Sequence, residues 1–241
     1  MHYVISDIHN DDGRFCEMLA RIHFSEQDHL FILGDVFDRS DFSPNPVDLY
    51  FHMLELGDMF DRSDYNPNPV DLYFKVMELE DNCSMIRGNH DEWLAAYILK
   101  YYQMPEWKRR KIPPYPYNTF RIFTRRLTPV DIQKLADVIA SWPLQITVEV
   151  DHKKYLLAHA MTSAPGIEKT LTYYLMGSEL NQSYLKNGID DYISICGHRT
   201  NADNSIWKNE KENVYMIDCG CGFKSGRLGC LCLETKEEFY V

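Results

Sequence analysis

Short apolar runs alternate with amphipathic stretches over the first half of the chain, and runs dominate the last hundred residues. The first run, at residues 3–5, predicts a strand over 2–6, followed by a helix around 13–23 and a strand over 30–34 from the run HLFIL. Asn45-Pro46 and Asn68-Pro69 each place an N-cap residue before a proline at the first helical position, with Asp48 and Asp71 in the first turn. They predict short helices around 46–55 and 69–79. A strand over 84–88 comes next. Trp93, Leu94, Tyr97, Ile98 and Tyr101 then share one face of a helix around 91–102. Another helix starts at Thr128-Pro129 with Asp131 in the capping position, its stripe formed by Ile132, Leu135, Ala136 and Ile139. Strands are expected near 145–150, 154–159, 193–197, 214–218, 228–233 and 237–241. Early βαβ units followed by strands and hairpins point to a mixed two-layer or sandwiched α/β domain, and no linker divides it.

The helix starts recur because the chain repeats itself. Residues 33–55 (LGDVFDRSDFSPNPVDLYFHMLE) and 56–78 (LGDMFDRSDYNPNPVDLYFKVME) are identical at 17 of 23 positions. Nothing later continues the repeat, so it reads as a local tandem duplication rather than a solenoid. Gly34-Asp35 follows the apolar run of a strand, whereas Gly57-Asp58 follows a helical stretch, where glycine suits a helix end. The first copy is therefore placed at a strand end. The second is expected to be an inserted loop and helix, with Asp58, Asp61 and Arg62 as spectators.

Composition narrows the class. Of 241 residues, 45% are apolar and 25% charged, which excludes disordered and fibrous classes. No run approaches the ~18–20 apolar residues of a membrane span. The N-terminus lacks a charged region leading into a long apolar one, so no signal peptide is expected. A net charge of −11 argues against a nucleic-acid surface. Residues 107–126 run the other way, with seven Lys/Arg and no acid, as a solvated loop or a landing surface for an anionic substrate. Seven cysteines lack the spacing of structural zinc sites and read as reduced strand cysteines of a cytoplasmic protein. Cys219 and Cys221, like Cys230 and Cys232, are spaced to share a strand face.

Polar residues gather just after the strands: Asp7 and His9; Gly34, Asp35, Asp38 and Arg39; Gly88, Asn89, His90 and Asp91; His159; Gly197 and His198. Carboxyl ends of strands in α/β sheets open into a common crevice where ligands bind. Carboxylate, amide and imidazole donors suit manganese, iron or zinc.

This ordered set resembles the calcineurin-like metallophosphoesterases, and Asp38-Arg39 is similar to the serine/threonine protein phosphatase branch with its small bacterial and phage members. The resemblance covers residues 3–39, 83–92, 154–160 and 193–234. It implies a single domain over 1–241 in which mixed sheets are sandwiched by helices, α/β/β/α, with a helical, basic-aromatic insert around 93–142. It implies two divalent metal ions, manganese first with iron or zinc as alternatives. Asp7 and His9 would hold one ion, Asn89, His159 and His198 the other, and Asp35 would bridge them. His90 would be the general acid, Asp38 its carboxylate partner and Arg39 a phosphate contact, with Arg199 and Arg227 as candidates for a second phosphate arginine. The implied reaction is hydrolysis of a phosphomonoester by a metal-bridging hydroxide, on a phosphorylated protein or small phosphoester. Ser40, Asp91 and Ala160-Met161 depart from the usual motif residues. Arg199-Thr200 lacks the second histidine common in the family's nucleases, which favours the phosphatase branch. Rivals are a dinucleoside polyphosphate hydrolase, with 107–126 as a nucleoside wall, a phosphodiesterase or nuclease, and a catalytically dead metal-binding scaffold. No membrane partner is expected.

Overall fold

Period-two alternation along the central strands decides the architecture. The computed structural model describes residues 1–38 and 68–241. β1 (His2–Ile5) pairs in parallel with β2 (His29–Ile32), which pairs in parallel with β3 (Cys83–Met85). On the other side of β1 lie the antiparallel β9 (Gly229–Cys232) and β10 (Glu238–Tyr240), giving the order β10-β9-β1-β2-β3. The second sheet has the order β4-β5-β6-β8-β7, from β4 (Gln145–Val150), β5 (Lys153–Ala158), β6 (Ile193–Cys196), β7 (Trp207–Lys208) and β8 (Val214–Met216). There β5, β6 and β8 are parallel, and β4 and β7 run antiparallel at the two edges.

Alternate residues of the strands feed different cores, as the pleat requires. Val4, Phe31 and Leu231 meet Tyr155, Leu157, Ile195 and Tyr215 in the core between the sheets. Tyr3, Ile5, Leu30, Ile32, Cys230 and Cys232 face a helical layer instead. That layer holds α1 (Asp12–Arg21), α2 (Pro69–Met77), α3 (Asn89–Gln103), the short α4 (Glu106–Arg109), α5 (Thr119–Arg126) and α6 (Pro129–Ser141). On the second sheet's outer face, α7 (Leu171–Met176) and α8 (Gln182–Asn187) pack Tyr173 and Tyr184 near Val214. Two mixed sheets between helices make the sandwich expected for a single domain.

Local signals hold where they are strongest. Thr128 caps α6, its Oγ1 accepting from the Asp131 backbone N–H at 3.2 Å, and Asn68 caps α2 in the same way at 3.2 Å. Three expectations change. The segment 107–126 contains a helix, α5, whose Phe120 and Phe123 enter the helical core; surrounding cations hide that i, i+3 pair in the sequence. Cys230 and Cys232 share a face, but Cys219 lies between the sheets and Cys221 in the helical core, because this stretch is a turn rather than a strand. Trp93 leaves the buried face of α3, which Leu94, Ala95 and Ile98 provide, and is 43% exposed.

The duplication contributes from both copies. Residues 34–38 of the first copy follow β2, while α2 belongs to the second and buries Val70, Leu72 and Val76 in the core. Lys75 also pairs with Asp12 at 2.9 Å, where the first copy has His52. The second copy's helix is thus a core element rather than an inserted excursion. The first copy's helix at 46–55, with Arg39, Ser40, Asp58, Asp61 and Arg62, lies outside the described residues. Deleting residues 39–61 joins Asp38 to Arg62 and keeps six residues before Asn68, the same spacing as within each copy. That variant is expected to melt cooperatively within a few degrees of the parent. Loss of the cooperative transition in calorimetry would show that the fold needs the extra 23 residues.

Candidate metal centre

Every chemistry-bearing side chain sits beyond the carboxyl end of a strand. Asp7 and His9 follow β1, Asp35 and Asp38 follow β2, Asn89 and His90 open α3 after β3, and His159 and His198 follow β5 and β6. Parallel pairing of β1-β2-β3 and of β5-β6 points these ends the same way. The turns are tight: Asp7, His9, Asp35, Asp38 and His198 all have positive φ, from 50° to 67°. Such conformations cost about 1–3 kcal/mol each in non-glycine residues and persist where surrounding bonds enforce them. Here the Asp7 N–H donates to Gly34 O (3.0 Å), His9 to Asp35 O (3.0 Å) and Asn10 to Val36 O (2.9 Å), stitching the first loop to the second. Two glycines permit the crowding. A Cβ on Gly34, at φ 86°, would strike the Gly88 backbone, and one on Gly197 would land on Ser6 Oγ and Asp7 Oδ2.

The result is two donor clusters that share Asp35: Asp7, His9 and Asp35, and Asp35, His159 and His198. His9 Nε2 lies 3.7 Å from Asp7 Oδ1 and 4.0 Å from Asp35 Oδ2. His159 Nε2 lies 3.4 Å from Asp35 Oδ1, 2.9 Å from Asn89 Oδ1 and 3.2 Å from His198 Nδ1. All except the partly exposed His198 are buried.

Backbone carbonyls set the tautomers. His159 Nδ1 lies 2.7 Å from Leu33 O and His9 Nδ1 3.4 Å from Phe37 O. A carbonyl only accepts, so each Nδ1 carries the proton and each Nε2 turns a lone pair toward the carboxylates. The Asn89 amide could instead donate its NH2 to His159 and His198, at 2.9 and 2.8 Å; a bound cation would select the carbonyl-inward orientation. Carboxylate oxygen, amide oxygen and imidazole nitrogen form a donor set that fits manganese, iron or zinc, so these residues could hold two divalent ions.

The remaining motif residues form the other wall. His90 donates its backbone N–H to Asp35 Oδ1 at 2.9 Å, and its Nδ1 faces Asp38 Oδ2 at 3.9 Å. Trp93 and Tyr117 stand edge-on to its ring, each with centroids 4.9 Å away. Arg199 is exposed, and Arg227 is engaged elsewhere, donating to Asn204 O at 3.0 and 2.6 Å and stacking on Tyr240.

Three residues support the donors: Asp91, already in the strand-end set, and Ser6 and Tyr115, which carry no sequence signal of their own. Ser6 donates to Asp7 Oδ2, which also accepts the His198 backbone N–H at 2.9 Å. Asp91 accepts from the N–H groups of Val36 (3.1 Å), Phe37 (3.3 Å) and Gly88 (3.0 Å), binding the second and third loops together. Burial raises the pKa of its carboxyl, against those donors. Tyr115, between α4 and α5, donates its hydroxyl to Asp38 Oδ2. Burial first, then the Asp38 charge, pushes that phenol far above its ordinary range, so it stays a donor.

A family model for calcineurin-like phosphoesterases matches residues 3–222. No curated protein matches the sequence. Among solved structures, a candidate diadenosine tetraphosphatase is 14% identical with a TM-score of 0.62, over 100% of this chain and 92% of that one. A serine/threonine phosphatase from Saccharomyces cerevisiae is 12% identical with a TM-score of 0.52, over 100% of this chain and 78% of that one. A metallophosphoesterase from Sphaerobacter thermophilus is also 12% identical, with a TM-score of 0.51, over 99% and 86%. At these identities the likeness is one of fold. The family match takes in most of the chain and both donor clusters: the chain belongs to the calcineurin-like phosphoesterase family, whose members hydrolyse phosphoesters with divalent metals.

Proposed function

We propose that the chain is a phosphomonoesterase of the serine/threonine phosphatase type, acting on phosphorylated proteins or small phosphoesters. The observation that carries this reading is the placement of His90. Its backbone is tied to Asp35, the carboxylate shared by both clusters, while its Nδ1 faces a second buried carboxylate, Asp38. Asp7, His9 and Asp35 would hold one divalent ion, and Asp35, Asn89, His159 and His198 the other, with manganese the first reading for both. When bound, such ions neutralise phosphoryl charge and lower the pKa of water. The chain's own part is orientation and proton transfer. His90 gives its Nε2 proton to the ester oxygen as the P–O bond breaks, and Asp38 keeps Nδ1 protonated and the ring aligned. Arg39, outside the described residues, keeps the phosphate role that the resemblance implies. Among the described residues no helix is long and apolar enough to cross a membrane, and all seven cysteines are free, which suits a reducing cytoplasm.

One observation favours a second reading. The leaving group departs beside His90, where Trp93 is 43% exposed and Tyr117 lines the same ring. An aromatic collar there would stack a base, as a dinucleoside polyphosphate requires. Assaying the metal-loaded chain on a phosphoserine peptide and on diadenosine tetraphosphate separates the two. The first reading expects the higher kcat/KM on the peptide and little change in Trp93→Ala. A preference for the dinucleotide, lost by roughly 10-fold or more in Trp93→Ala as a stacked base would require, assigns the second. Turnover of neither, nor of a small phosphoester such as p-nitrophenyl phosphate, would refute both.

A further inference from the structure

The insert around 93–142 carries none of the family's motifs, yet one of its side chains reaches the acid. Tyr115 donates to Asp38 Oδ2, the same oxygen that faces His90 Nδ1. The 3.9 Å between Asp38 and His90 permits charge attraction but exceeds a hydrogen bond. How well Asp38 orients the imidazole therefore depends on the direction of its carboxylate. Asp38 Oδ1 and His90 Nδ1 are buried with no hydrogen-bond partner among the described residues. Among the described residues, the phenol is accordingly the side chain that sets that direction.

Tyr115 itself is held on several sides. Its ring lies 4.9 Å from that of Tyr97 on α3, and Tyr97 Oη donates to Pro113 O at 3.2 Å, fixing the loop just before it. Beyond it, Thr119 Oγ1 accepts from Asn10 Nδ2 at 3.0 Å, fastening the start of α5 to the loop that carries Asp7 and His9. A hydroxyl placed by so many contacts is preorganised, so little ordering cost falls on the reaction itself.

We infer that Tyr115 is a positioning residue for leaving-group protonation, holding the Asp38 carboxylate against the His90 imidazole. The inference rests on His90 being the general acid, and the experiment separates the two. A poor leaving group such as the alkoxide of glycerol phosphate needs a proton; dinitrophenolate does not. In the metal-loaded enzyme, Tyr115→Phe is expected to lower kcat on glycerol phosphate by about 10-fold, the usual scale for a supporting hydrogen bond. KM, metal content, melting temperature and kcat on dinitrophenyl phosphate should stay near the parent's. In an Asp38→Asn background the same change should cost nothing further, because the two act as one unit.

An equal loss on both esters, no loss on either, or a full additional loss in Asp38→Asn would overturn the role of Tyr115. His90→Asn serves as the control. If it too fails to distinguish the esters, the acid reading falls and the Tyr115 inference falls with it; if it distinguishes them and Tyr115→Phe does not, only the inference falls.

Discussion

Asp35→Asn is expected to abolish hydrolysis and to cost the protein bound metal. Asp35 is the one residue common to both donor clusters, with Oδ2 4.0 Å from His9 Nε2 and Oδ1 3.4 Å from His159 Nε2. The amide keeps an oxygen for the His90 N–H but removes the charge and one oxygen lone-pair set facing a histidine. Losing several kcal/mol of transition-state charge stabilisation corresponds to a fall of about 10³-fold or more in kcat/KM. Elemental analysis of the purified variant should find less than the parent's metal content. Asp58→Asn, at the matching position of the second copy, should leave both quantities near the parent's. The reverse pattern would put the second copy at the strand end and contradict the backbone bonds that Asp35 makes beside Asp7 and His9.

His90→Asn should separate chemistry from assembly. The imidazole is buried against Trp93, Tyr117 and His9, and the proposed function gives it proton donation rather than ligation. General acids contribute about 10²–10⁴-fold, so kcat on an alkyl phosphate should fall within that range while metal content is preserved. Unchanged kcat would remove the role. A parallel loss of metal would mean that His90 belongs to the ligand set. Asparagine is preferred to alanine because it limits the void left beside Trp93 and Tyr117.

How much of this was legible follows from what each signal depends on. The strands β1, β2, β5, β6, β8 and β9 appear as short apolar runs because both of their faces are buried, one between the sheets and one under helices. α2 and α6 were legible from Asn-Pro and Thr-Pro starts, whose capping bonds form within four consecutive residues. α5 was not, because its cations report the solvent side while Phe120 and Phe123 are too few to set a period. The different fates of Cys219 and Cys221 were illegible for a related reason: i, i+2 spacing implies one face only if the backbone is extended, and there it turns.

The site divides along the same line. Asp7, His9, Asp35, Asp38, Asn89, His90, His159 and His198 could be named from sequence, because each follows a strand in the order a strand-end crevice requires. The bonds of Asp91 and the part of Tyr115 could not, because each acts on a group that only folding brings near. Asp91 reaches the amides of residues 36 and 37 across two strands, and Tyr115 reaches Asp38 across 77 residues.

The sequence by itself determined the residue types at the strand ends, hence the hard-donor chemistry and its order along the chain. It also placed the first copy of the duplication after β2. Only the tertiary structure decided that the second copy supplies a core helix, that Leu33 and Phe37 carbonyls fix which imidazole nitrogen faces the donor clusters, and that Tyr115 closes on Asp38. Donor type is a property of a side chain. Tautomer, partner and packing are properties of the neighbours that a long-range fold brings within reach.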